Sequence, residues 1–217
     1  MLLQPQQREK LDRSNDQDFY AIPRLVTHVD ESFIDQLTNL YRERLKPNTR
    51  ILDMMSSWVS HLPDDIKFDH VEGHGMNEEE LQKNPNLDHY VVQNLNENRS
   101  FPFSDQEFDA VLNAVSVQYL QYPEEVFAEI HRVLKPGGIA IISFSNRMFY
   151  QKAIAAWRDG SEAMRVELVK RYFNSVGGFS EPEVIQKQPS VPSILQMFGM
   201  GGSDPFYAVL ARGLRIL

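Results

Sequence analysis

The stretch SFPFSDQEFDAVLNAVSVQYLQYPEEVFAEIHRVLKPGGIAIISFSN, residues 100–146, decides the fold. Its centre, Phe108-Asp109-Ala110-Val111-Leu112-Asn113, reads as a short buried strand entered through turn-forming Pro102, Ser104 and Asp105. Pro123 then suits a helix's first turn, and Val126, Phe127, Ile130, Val133 and Leu134 recur at helical spacing. Lys135-Pro136-Gly137-Gly138 ends that helix, because Pro stops it and the glycines turn the chain into a strand over Ile139 to Phe144. Strand, helix and strand in succession predict a parallel pair with a helical crossover.

Reading outward, the same alternation recurs. Asp30 caps a helix carrying Phe33, Ile34, Leu37, Leu40, Tyr41 and Leu45, with Pro47 beyond its end. Arg50 to Met55 reads as a strand with Asp53 near its C-terminal end, and Phe68 to Gly73 as a second. Asn77 and Glu80 have capping-box spacing before a helix near 78–84. His89 to Leu95 is a third strand. Downstream, 148–175 reads as helical, and Glu183-Val184-Ile185 and Phe206 to Leu210 as two further strands. Residues 1–18 are polar and aperiodic, which predicts a flexible arm. The whole implies an α/β domain whose ligands bind at the C-terminal ends of a mainly parallel sheet.

Composition narrows the partners. The 217 residues suit a single domain. Thirty acidic against 22 basic side chains, a net charge of −8, argue against nucleic acid and anionic membranes. The absence of cysteine excludes disulfides and thiolate metal sites. No apolar run suits a secretory signal or a membrane span, so a cytoplasmic protein is expected. His70, Glu72 and His74 alternate on one strand, but no second ligand cluster accompanies them and no metal is expected.

Pro102-Phe103, Phe108-Asp109 and Arg132 through Gly138 resemble, in order and spacing, the central half of the class I S-adenosylmethionine-dependent methyltransferases of the small-molecule, type 11 kind. A weaker resemblance extends over 19–213. It implies a Rossmann-like, doubly wound, mainly parallel seven-stranded sheet with helices on both faces. It also implies one domain over 19–217, with a cap at 19–48 and lid elements within 148–205, including the Met- and Gly-rich stretch from 190. The implied cofactor is S-adenosylmethionine and the implied partner a small-molecule acceptor. The sequence does not decide the oligomeric state.

The resemblance assigns the cofactor to Asp53, Met54, Met55, Ser56 and Ser57 after the first strand, Gly75 and Met76 after the second, Asn94 and Leu95 after the third, and Asn113 and Ala114 after the fourth. Arg24 is a candidate partner for the methionine carboxylate, and Tyr20, Gln118 and Tyr119 are candidates for the substrate side. Three departures stand out. The family's glycine-rich turn, aligned on Asp53, becomes Met55, Ser57 and Val59. A positive φ at Met55 would cost about 1 kcal/mol or more, so a new loop path or strain is expected. The acid that binds the ribose hydroxyls falls at or near Gly75, so that Met55→Gly with Gly75→Asp is expected to tighten cofactor binding. Asn94 replaces the acid aimed at the adenine amino group, which its carbonyl oxygen can still receive.

Each residue also has a structural reading. Asp53 could be a turn carboxylate, Ser56 and Ser57 could cap a following helix, Trp58 could be packing, Arg24 could be a solvated surface residue and Tyr119 a core aromatic. Two functions follow: methyl transfer to a small molecule, in which alignment and desolvation suffice and no catalytic residue need be visible, or a catalytically inactive methyltransferase-like binding or regulatory protein.

Overall fold

The computed structural model describes residues 2–187 and 203–214. Among these residues seven strands form one sheet in the order β3-β2-β1-β4-β5-β7-β6. They are β1 (Arg50–Met54), β2 (His70–Gly75), β3 (His89–Val92), β4 (Phe108–Ala114), β5 (Leu134–Phe144), β6 (Glu183–Lys187) and β7 (Phe206–Arg212). β1 through β5 run parallel and β7 is antiparallel to both its neighbours. The order reverses between β1 and β4, so a crevice opens above their C-terminal ends.

The alternation of side chains along the strands builds two cores. On one face Ile51, Val71, Leu112 and Ile141 meet Phe33, Leu37, Leu40 and Tyr41 of α2 (Glu31–Arg44). On the other, Leu52, Met54, Val111 and Ile142 meet Val126, Phe127 and Ile130 of α4 (Pro123–Val133) and Val166, Val169 and Phe173 of α6 (Glu162–Asn174). Asp30 caps α2 as expected, its carboxylate accepting the Phe33 N–H at 2.9 Å.

Several expectations are revised. The chain from β1 to β2, residues 55–69, contains no helix, so Ser56 and Ser57 cap none. The expected helix over 148–175 is a loop followed by α5 (Ala155–Arg158) and α6. β5 begins at Leu134, directly from α4, and takes Lys135 to Gly138 into the strand, with Gly137 at φ +83°. Most of the lid stretch from 190 lies outside the described residues.

The expected arm at 1–18 is packed and runs into a short helix, α1 (Asp16–Tyr20). Leu3 is fully buried, and Arg8 bridges Glu124 and the Gln121 carbonyl. Lys10 and Lys152, both buried, enclose Asp16 at 2.5 and 3.3 Å, and Lys152 also reaches Asp12 at 3.1 Å and the Ser14 carbonyl at 2.9 Å. Polar composition did not signal this, because Arg8 and Asp16 find their partners Glu124 and Lys152 more than a hundred positions away. Among the described residues no helix is long and apolar enough to cross a membrane.

Candidate functional site

The site grows from the C-terminal ends of β1, β2, β3 and β4. Where β1 ends, Met55 turns the chain at φ +56°. Ser56 then donates its N–H to the His74 carbonyl of β2 at 2.7 Å, which draws the loop against that strand. A Cβ placed on Gly75 would lie 2.6 Å from the Ser56 carbonyl oxygen. Gly75 thus leaves the room in which the Ser56 carbonyl lies against β2, while Met55 takes the left-handed backbone. An Asp side chain at position 75 would therefore meet the Ser56 carbonyl in this loop conformation.

Above these ends lies a cleft of about 830 Å³, counting the space open to solvent. Met55, Ser56, Ser57, Gly75, Met76, Asn94, Leu95 and Ala114 line it, together with Tyr20, Arg24 and Tyr119. Four expected residues lie elsewhere. Asp53 borders a smaller adjoining cavity behind the loop, with Ser60 and His61. Met54 and Asn113 are fully buried, Asn113 donating to the Met54 carbonyl at 3.2 Å. Gln118 is fully buried and donates to the Val115 carbonyl at 2.8 Å, which removes it from the substrate side. Asn94 Oδ1 already accepts the Asn96 N–H at 3.0 Å, leaving it one free lone pair.

Two buried titratable groups flank the loop. Burial pushes the Asp53 carboxyl up to about 6, although the Ser56 and Ser60 hydroxyls pull the other way; Ser56 Oγ donates to it at 2.5 Å. Burial pushes His74 down to about 4. His74 Nδ1 accepts the Met55 N–H at 3.4 Å, so the neutral ring carries its proton on Nε2, which is buried without a partner among the described residues.

Residues 19–28 strap over the cleft. Asn77 donates to the Tyr20 carbonyl at 2.8 Å, Trp58 Nε1 donates to the Val26 carbonyl at 3.2 Å, and Glu80 accepts the Arg24 N–H at 2.6 Å. Trp58 thus anchors the strap and does not plug the cleft. The Arg24 guanidinium lies 4.5 Å from the Phe19 ring centre and 5.2 Å from that of Phe149, and it donates to the Phe19 carbonyl at 2.9 Å. One of its terminal nitrogens is buried with no partner among the described residues. Phe149 stacks on Tyr119 at 6.0 Å and meets His28 edge-on at 5.2 Å, walling a compartment bordered by Val115 and Met148 that adjoins the cleft.

Sequence reading missed Asp16, His74, Glu80, Val115 and Phe149, all of which border these spaces. Glu80 had a signal, its place three residues after Asn77, but only half of that capping box forms. Asn77 Oδ1 accepts the Glu80 N–H at 3.0 Å, while the Glu80 carboxylate turns to Arg24 and to Ser57 Oγ at 2.7 Å. Val115 had none, since nothing local announces a β-branched residue at φ +50°. Of the alternating trio on β2, His70 and Glu72 pair at 2.9 Å, Glu72 also pairs with His89 at 2.6 Å, and His74 faces the cleft instead.

Residues 65–142 match the family model described as a methyltransferase domain. A sterol 24-C-methyltransferase of Schizosaccharomyces pombe is 30% identical over 107 residues, 46% of this chain and 28% of that protein. The chain spans only 11% to 28% of the lengths of the first curated relatives it matches. Among solved structures, the (4+2)-cyclase SpnF superposes with a TM-score of 0.59 at 17% identity, covering 83% of this chain and 81% of that one. Phosphoethanolamine N-methyltransferase 2 of Haemonchus contortus, solved in complex with S-adenosylmethionine, gives 0.56 at 17% identity, covering 83% and 52%. The strand order with its antiparallel β7 and the crevice at the β1–β4 reversal are those of the Rossmann-like methyltransferase fold, and the segment that matches the methyltransferase domain model lies within it.

Proposed function

We propose that this chain binds S-adenosylmethionine in the cleft and transfers its methyl group to a small-molecule acceptor held in the adjoining aromatic compartment. The observation that carries the reading is the cleft itself. It stays open at the sheet's switch point despite Met55, and it holds a buried Arg24 nitrogen with no partner among the described residues. A guanidinium in that state calls for an anionic group, and the methionyl carboxylate is one. When bound, the cofactor supplies an electrophilic methyl group on a sulfonium centre.

The chain's own residues bind, orient and exclude water. Arg24, held flat by Phe19 and Phe149, pairs with the carboxylate; the Asn94–Leu95 turn flanks the base; Tyr119, Phe149 and Val115 form the wall between cofactor and acceptor. Alignment of donor and acceptor is the catalytic device, and no side chain is assigned as acid or base. The acidic net charge supports a small-molecule partner over a nucleic acid.

Titration calorimetry with S-adenosylmethionine and S-adenosylhomocysteine tests this. Arg24→Ala is expected to weaken S-adenosylhomocysteine about tenfold or more, and to leave 5′-methylthioadenosine, which lacks the carboxylate, unchanged. No heat at millimolar ligand with wild-type protein sinks the cofactor reading. The second reading, a binding protein without transferase activity, is favoured by the missing helix after β1 and the side chain at position 55. Tight nucleoside binding with no methyl transfer to any of a panel of small amines, phenols and carboxylic acids would support it.

A further inference from the structure

We infer that Glu80 is the side chain that grips the paired ribose hydroxyls of the nucleoside, a task that position 75 cannot perform in this chain. The inference rests on the cofactor reading above and assigns it a residue outside the strand ends.

Two observations lead there. First, position 75 is closed to every side chain, because the Ser56 carbonyl oxygen sits where a Cβ would go, 2.6 Å away. That oxygen belongs to backbone pinned by the Ser56 N–H to the His74 carbonyl, so it cannot swing aside as a flexible side chain would. Second, the Glu80 carboxylate borders the same cleft from the first turn of α3 (Glu78–Gln82). It has left the capping position that its spacing favours. Its Oε1 accepts the Arg24 N–H at 2.6 Å and its Oε2 accepts the Ser57 hydroxyl at 2.7 Å.

The chemistry of that carboxylate selects its ligand. An ionised carboxylate only accepts, with about four lone-pair sites on two oxygens. Two sites are taken by Arg24 and Ser57, which fix the group's orientation, and two remain. A pair of adjacent hydroxyls supplies one donor to each oxygen. A phosphate on either hydroxyl would bring a second anion against the first, so the site selects an unphosphorylated nucleoside. The strap and the loop after β1 thereby meet on one side chain, and the ligand's hydroxyls complete its shell.

The test is calorimetric. Wild-type protein and Glu80→Gln are titrated with S-adenosylhomocysteine and with its 2′,3′-dideoxy counterpart, and the ligand-free melting temperature of each is recorded. Wild type is expected to prefer the hydroxyl-bearing ligand by about tenfold or more, and Glu80→Gln to lower that preference to within about threefold while binding the dideoxy ligand as wild type does. Glu80→Ala, which leaves no amide to face the Ser57 and Arg24 donors, is expected to give the same pattern. An undiminished preference in both variants overturns the assignment. So does equal weakening of both ligands, which would mean that Glu80 only holds the strap. If wild type binds neither ligand, the cofactor reading falls and this inference with it. Binding without any hydroxyl preference in wild type overturns this inference alone.

Discussion

Replacing Asp53 with Asn should uncover a pH dependence that the wild-type protein hides. Asp53 is 4% exposed and its carboxyl is pushed from 3.8 up to about 6 by burial. A folded-state pKa above the unfolded value contributes stability that is full below about 3.8 and is lost as pH rises through about 6. Two units at 1.36 kcal/mol each make this about 3 kcal/mol. His74, 1% exposed and pushed from 6.5 down to about 4, works in the opposite sense. Its contribution is full above 6.5 and is lost as pH falls through about 4, again by about 3 kcal/mol. Across pH 4 to 6.5 the two nearly cancel. In Asp53→Asn the amide keeps the Ser56 hydrogen bond and only the His74 slope remains. Urea unfolding at half-unit pH steps should therefore show the variant gaining on wild type by about 3 kcal/mol between pH 4 and pH 7. A difference between the two proteins that stays constant within about 1 kcal/mol over that range would refute the desolvated carboxyl at Asp53.

Gly75→Asp should lower stability by about 1–3 kcal/mol and remove nucleoside binding, because the new Cβ meets the Ser56 carbonyl at 2.6 Å; thermal melts and calorimetry check both. Val115→Gly should leave the melting temperature unchanged or raised, since it releases a β-branched residue from φ +50°, worth about 1–2 kcal/mol, at a partly exposed position. A drop of several degrees would mean that packing at Val115 outweighs the strain. Lys152→Ala should cost about 3–5 kcal/mol in denaturant titration, as it strands Asp16 with half its buried counter-charge; a loss under about 1 kcal/mol would show the ion-pair cluster to be incidental.

The sequence by itself determined the strand-and-helix order. Period-2 and period-3.6 patterning, Asp30 before α2 and the Pro and Gly around α4 and β5 are local signals, and local signals are legible one residue after another. It also named residues at the strand ends, several of which line the cleft, and it singled out Met55, where the backbone takes φ +56°. What only the tertiary structure decided was which side chains reach that site. Gly75 looked like a lost acid until the Ser56 carbonyl lay against it, Glu80 looked like a helix cap until Arg24 and Ser57 claimed its carboxylate, and the polar arm looked unattached until Lys152 closed on Asp16. Each of these depends on residues distant in the chain or on a loop's path past a neighbouring strand, and neither sets a period or a spacing that the linear sequence can carry.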